Sequence, residues 1–234
     1  MALLLCDIDG TLVRGGSSYD STMEQAINQV FRKHAPVDLS RFHGYTDRLV
    51  MKQVLTENHI LFDNQSIERC LYVFGEIFPE DPSDIEIIPG VLETIPLLPE
   101  ENTLGLLTGN VEAMARKKLR KFPVNGSTLN DYFPFGGFGG TDQHESRADL
   151  IHIAIERAGN FKWDRRRRIY VIDDSQRGIG AVCEAKRQVF LNYPETRLVP
   201  IGITTGLYSR EQLRESGAEY IVDNFKEIPS LIEN

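Results

Sequence analysis

Asp7 and Asp9 stand within Asp7-Ile8-Asp9-Gly10-Thr11, directly behind the apolar run Leu3-Leu4-Leu5-Cys6. The run predicts a buried strand, and acids at its mouth have no packing reason to be there. A carboxylate is already ionised at neutral pH, so an aspartate can attack phosphorus without the activating base a serine needs, giving an acyl phosphate that water later cleaves. Asp7 takes that role in this reading. Phosphoryl transfer then calls for charge neutralisation more than covalent help: a metal, fixed N–H donors and a cationic side chain around the transferring group.

Each has a candidate further along the chain. Leu104-Gly105-Leu106-Leu107 runs into Thr108-Gly109-Asn110 and then into the helical pattern Val111, Met114, Ala115 and Leu119. The Thr108 hydroxyl and the N–H groups of Gly109 and Asn110 at a helix N-terminus would hold phosphoryl oxygens, although Thr-Gly-Asn alone is also an ordinary turn and cap. Ile169-Tyr170-Val171-Ile172 ends in Asp173-Asp174-Ser175, which puts more carboxylates at the same sheet edge. Magnesium takes one or two protein carboxylates together with phosphate and water. Asp7 and Asp174 meet that need, with the Asp9 backbone carbonyl as a further ligand and Asp173 as a ligand or orienter. Ser146-Arg147-Ala148-Asp149 reads as a capping box that sets Arg147 on a first helical turn, an unfavourable end of the dipole for a cation unless an anion lies in front of it. Lys117 and Lys118 are rival cations, expected to fall two turns away from the binding end of their helix.

The elements that must position these residues follow from periodicity. Short apolar runs predict strands near 2–7, 103–107, 134–138, 168–173, 199–204 and 219–223, alternating with amphipathic stretches in the pattern of βα units around a parallel sheet. Residues 15–88 show no convincing strand and three helical stripes: Met23, Ala26, Ile27, Val30 and Phe31; then Val50, Met51, Val54 and Leu55; then Ile67, Cys70, Leu71, Phe74, Ile77 and Phe78. Ser21 with Glu24 matches a capping box ahead of the first stripe. Arg14-Gly15-Gly16 and Ile88-Pro89-Gly90 bound this segment and suit hinge motion, so it is expected to be a mobile lid.

The 234 residues are enough for one ample core, and 41% hydrophobic with 26% charged residues is ordinary for a soluble globular chain. A net charge of -8 argues against nucleic acid as the partner. Cys6, Cys70 and Cys183 are odd in number and widely spaced, which favours reduced thiols in the cytoplasm. No apolar run reaches membrane-spanning length. The run Arg165-Arg166-Arg167-Arg168 is expected to be a solvated turn guarding the strand behind it.

Asp-x-Asp-Gly-Thr, Leu-Leu-Thr-Gly-Asn, a basic residue and a strand ending in Asp-Asp, in that order, resemble the four motifs of the haloacid dehalogenase superfamily over nearly the whole chain. The resemblance implies an α/β protein with a three-layer α/β/α, Rossmann-like core, a mostly parallel sheet of order 3-2-1-4-5, and an inserted all-helical cap of the kind found in the phosphoglycolate phosphatase and β-phosphoglucomutase branch. Residues 1–14 and 89–234 would form the core and 15–88 the cap. In that family the first aspartate, here Asp7, is the nucleophile and the second, here Asp9, the general acid/base. Two departures stand out. Arg147 replaces the usual lysine and grips phosphate differently, and Gly178 stands where many relatives carry a further metal-side aspartate, a place Asp173 is expected to fill.

The expectation is therefore a magnesium-dependent phosphatase acting on a small phosphate monoester. Thr108, Gly109, Asn110 and Arg147 would hold the phosphoryl group. Asp9 disfavours a dehalogenase; a phosphomutase of the β-phosphoglucomutase type and a non-catalytic protein on the same fold remain alternatives. A phosphonatase would need a cap lysine forming a Schiff base, and nothing about the sequence neighbours of Lys33 or Lys52 marks either for that role. Specificity is assigned to Gly44-Tyr45-Thr46-Asp47-Arg48, with Arg48 and Lys52 one turn apart as readers of a second anionic group on the substrate.

Overall fold

A computed structural model describes every residue except 1, 17, 101, 142–144, 162, 164–167 and 233–234. In chain order, β1 (Leu3–Cys6) and β2 (Val13–Gly15) precede three helices, α1 (Ser18–Phe31), α2 (Asp47–Glu57) and α3 (Asn64–Ile77). Next come β3 (Ile85–Ile87), α4 (Val91–Thr94), β4 (Thr103–Thr108), α5 (Glu112–Arg120), β5 (Pro123–Val124), β6 (Ser127–Thr128) and β7 (Gly136–Phe138). The remainder holds α6 (Arg147–Ala158), β8 (Ile169–Asp173), α7 (Gln176–Asn192), β9 (Leu198–Ile203), α8 (Arg210–Glu215), β10 (Tyr220–Val222) and α9 (Ile228–Ile232).

All six expected strands are present and form one sheet, β10-β9-β8-β1-β4-β7, parallel throughout. Counted by order of appearance from the β7 edge, this is 3-2-1-4-5 with a sixth strand outside. Side chains alternate across a strand, so β1 feeds both faces at once. Leu4 and Cys6 join an apolar cluster with Met114 and Leu119 of α5, while Leu3 and Leu5 join one with Ile151 and Ile155 of α6 and Val182 of α7. Helices on both faces explain why the strands read as continuous apolar runs. Burying one such leucine contributes roughly 1.5–3 kcal/mol.

The three stripes of residues 15–88 fall on α1, α2 and α3, and they belong to the same contiguous apolar cluster as Leu4, Cys6 and Leu106. Two local expectations fail. Helix α1 begins three residues before Ser21, because the Ser18 N–H finds an acceptor in Asp84 across the segment; Glu24 accepts from the Val37 N–H instead of capping. The segment is also bounded by strands: β2 and β3 pair antiparallel, Arg14 facing Glu86, in a ribbon of three residues a side, too short to show a period. Residues 187–192 form the last turns of α7, and 193–197 lead from it into β9. Arg165, Arg166 and Arg167 lie outside the described residues. Among the described residues no helix is long and apolar enough to cross a membrane.

Candidate active site

Parallel strands share one carboxyl edge, and β1 is the point where the order turns: β4 pairs on one side and β8 on the other, with Cys6 opposite both Leu106 and Ile172. Crossovers leave in opposite directions there and open a crevice. One residue beyond the ladder, Asp7 enters that crevice beside Asp173 and Asp174. Each of the three offers a buried carboxylate oxygen within 4.8 Å of the others. Arg147, on the first turn of α6, reaches in from the side: its Nη2 donates to Asp7 Oδ1 at 2.9 Å and to Asp173 Oδ2 at 2.6 Å. Asp173 Oδ1 also accepts from the Ser175 N–H at 2.8 Å and hydroxyl at 2.7 Å.

Three carboxylates therefore face a single guanidinium in a desolvated pocket. Burial, then the charge of Asp173, pushes the Asp7 carboxyl well above its ordinary value; burial, then Asp173 and Asp7, does the same to Asp174. Negative charge in excess of its partner, with oxygen donors a few ångströms apart, suits a hard divalent cation. The surrounding backbone is cut to fit. A Cβ at Gly10 or at Gly206 would collide with the Asp174 carboxylate, and one at Gly178 with that of Asp173. Position 178 lacks a side chain where the Asp173 carboxylate fills the space.

Asp9 lies on the other side of Asp7, its side chain outside the three-carboxylate cluster. Both its oxygens accept from Lys118 Nζ at 2.7 Å, and the same ammonium donates to Asn110 Oδ1 at 2.9 Å and sits 4.6 Å over the Tyr19 ring. Lys118 is fully buried while the Asp9 side chain is 39% exposed, so the acid faces the cleft and the base its wall. This corrects the dismissal of Lys118. Side chains on a helix tilt toward its N-terminus, and a lysine's length covers the remaining rise. The signal was in the sequence: positions 111, 114, 115, 118 and 119 form one core-facing stripe, with a lysine among apolar residues. Lys117 does lie away from the cleft, donating to the Gly75, Glu76 and Phe78 carbonyls at the end of α3.

Thr108 is buried beside Asp7, and its Oγ1 accepts from the Asn110 N–H at 3.2 Å. That amide is thus turned onto the threonine, and the Asn110 side chain bridges Lys118 and the Tyr19 hydroxyl, the latter at 2.6 Å. Gly109 is required by close approach, since a Cβ there would strike the Tyr45 carbonyl. The N–H of Val111, the N-cap of α5, donates to Asp47 Oδ2 at 2.7 Å; Asp47 Oδ1 accepts from Tyr19 at 2.8 Å, and the Asp47 N–H donates to the Gly109 carbonyl at 2.8 Å. Asp47 falls within the 44–48 loop expected to face the site, but nothing in the sequence marks its bonds to Val111 and Tyr19, because an acid on a first helical turn is ordinary. Burial, outweighing these bonds, pushes its carboxyl up to about 7.

A cleft of 390 Å³ joins these groups, lined by Asp7, Asp9, Thr108, Gly109, Asn110, Arg147 and Asp174 together with residues of α1, the 39–45 loop and Leu207-Tyr208. Arg48 and Lys52 are not among the lining residues. Arg48 shares the buried face of α2 with Met51 and Leu55 and pairs with Glu68 on α3, and Lys52 pairs with Glu145.

A family model described as haloacid dehalogenase-like hydrolase matches residues 4–191. The chain belongs to the haloacid dehalogenase-like hydrolases. None of the curated proteins is a significant sequence match. Among solved structures, the chain is similar to a predicted phosphoglycolate phosphatase from Haemophilus somnus, at 17% identity and a TM-score of 0.66, covering 99% of this chain and 97% of that one. It is also similar to a predicted phosphatase from Clostridium acetobutylicum, at 21% identity and a TM-score of 0.66 over 100% and 99% of the two chains. An archaeal β-phosphoglucomutase from Pyrococcus sp. strain ST 04 matches at 16% identity and a TM-score of 0.56 over 100% and 98%. These identities establish a shared fold. In this chain the buried Lys118 pairs with Asp9 and is linked through Asn110 and Tyr19 to Asp47 on α2.

Proposed function

We propose that this hydrolase is a magnesium-dependent phosphatase that cleaves a small phosphate monoester through an aspartyl phosphate on Asp7. The observation that carries the reading is the contrast at the crevice: Asp7 lies against Arg147 and two further buried carboxylates, while Asp9, two residues on, is held apart on Lys118 with its oxygens toward the cleft. In the first step an Asp7 oxygen attacks phosphorus, the bond to the ester oxygen breaks, and Asp9 gives its proton to the departing alkoxide. In the second, Asp9 takes a proton from water as that water attacks the same phosphorus. The bond to Asp7 breaks, and inorganic phosphate leaves with both aspartates restored.

Arg147 and the Thr108 hydroxyl border the position of the transferring group, with Gly109 and Asn110 supplying the wall behind it. Asp7, Asp173 and Asp174 would hold the magnesium; the Asp9 side chain, engaged by Lys118, would not. A divalent ion there would neutralise charge on the phosphoryl group and keep Asp7 ionised despite its burial. Residues 15–88 act as the cap and exclude water from the acyl phosphate. Free cysteines, two of them buried, are in keeping with a cytoplasmic setting. The test is release of inorganic phosphate from 4-nitrophenyl phosphate with magnesium, abolished by EDTA and by Asp7→Asn. Lack of release across a broad ester panel would favour a non-catalytic binding protein.

A further inference from the structure

Asp9 can serve a leaving oxygen only while its carboxyl is held toward the cleft. Among the described residues, Lys118 is the one side chain bonded to that carboxylate. An ammonium has three N–H groups, and here all three are engaged: two on the Asp9 oxygens and the third on Asn110 Oδ1. Lys118 is fully buried, so an N–H without its acceptor would be costly. The third bond thereby fixes how the other two are aimed.

Asn110 must then keep its oxygen toward Lys118. An amide is nearly symmetric in shape, and turning this one over would set two donors against each other. Tyr19 prevents the turn. Its hydroxyl accepts from Asn110 Nδ2 at 2.6 Å and gives its own proton to Asp47 Oδ1 at 2.8 Å, so every bond from Lys118 to Asp47 runs in one direction. The chain is anchored beyond Tyr19. Asp47 accepts from the Val111 N–H and donates its own N–H to the Gly109 carbonyl, gripping the backbone on either side of Asn110. The Tyr19 ring is set edge-on against Phe74 and Phe78, with centroids 5.4 and 6.1 Å away.

We propose that Tyr19 is a positioning residue for the acid/base: its hydroxyl orients Asn110, Asn110 orients the Lys118 ammonium, and the ammonium holds Asp9 toward the leaving oxygen. This rests on the phosphatase reading and deepens it. Tyr19 acts on the proton transfer without giving or taking the proton itself.

Matched aryl esters read the effect. 4-Nitrophenolate departs without a proton, whereas the far more basic 4-methoxyphenolate needs one, and the two esters are close in size. Tyr19→Phe keeps the ring and its packing and removes the hydroxyl. With magnesium present, kcat/KM, which covers the steps up to loss of the alcohol, is expected to fall by up to about tenfold for 4-methoxyphenyl phosphate, the worth of one hydrogen bond, and by about twofold or less for 4-nitrophenyl phosphate. Lys118→Met should show the same selectivity, and adding Tyr19→Phe to it should cost nothing more, because both act through one ammonium. Equal losses on the two esters would mean a structural role or a substrate contact, and losses that multiply in the double variant would mean that Tyr19 acts apart from Lys118. Either result overturns the inference and leaves the phosphatase reading intact. A wild-type enzyme that releases phosphate from neither ester would overturn that reading and the inference with it.

Discussion

The sheet edge and the helical segment meet in one cleft but are electrostatically unlike. At the edge, Asp7, Asp173 and Asp174 are placed by strand register and share the single guanidinium of Arg147, so charge there is unbalanced. On the helical side, among the described residues, Arg48 pairs with Glu68, and Asp47 accepts from the Val111 amide and the Tyr19 hydroxyl. An unbalanced cluster is costly to bury unless ligands complete it, whereas a balanced one holds shape and adds selectivity. Chemistry is therefore assigned to the edge and recognition to the helices.

The sharpest way to break that division is at its border, where Asp9 and Lys118 join the two regions. Asp9→Asn should fold and bind magnesium yet lose turnover by about 10²- to 10⁴-fold, the usual worth of general acid/base assistance; near-normal turnover would refute the role given to Asp9. Lys118→Met, which leaves Asp9 in place without its partner, should cost less, on the order of tenfold in kcat. A larger loss there than in Asp9→Asn would move Lys118 itself into the chemistry.

A smaller effect tests the balanced side. Burial holds the Asp47 carboxyl at about 7, above the 3.8 of a solvated aspartate. Between those values the native state keeps a proton that the unfolded chain has lost, so Asp47 makes unfolding free energy fall as pH rises from about 4 to 7. The slope from one group is at most about 1.4 kcal/mol per pH unit. Denaturant unfolding across that range should show wild type losing more stability than Asp47→Asn. Parallel pH curves would mean that Asp47 is charged throughout and that its bonds, not burial, dominate.

Strands and motif acids were legible because an apolar run fixes both a strand and the residue that emerges at its end. The side chains that cross between regions were harder to read. Distance along α5 sets Lys118 away from the cleft, whereas its place in the apolar stripe turns it inward; Arg48 lies near the 44–47 loop, but its spacing to Met51 and Leu55 puts it on the buried face of α2. The 44–48 loop is legible, but nothing local marks the bonds of Asp47, whose partners Tyr19 and Val111 are 28 and 64 residues away. The β2–β3 ribbon was missed for want of length.

The central claim is that Asp7 carries the phosphoryl group in transit. Acid-quenching the enzyme during turnover of 4-nitrophenyl phosphate with magnesium, followed by mass spectrometry of its peptides, reads this directly. The account predicts a phosphoryl adduct on Asp7 that is absent from Asp7→Asn and accumulates in Asp9→Asn if water attack is slowed more than its formation. Steady turnover with the adduct on another residue would contradict it.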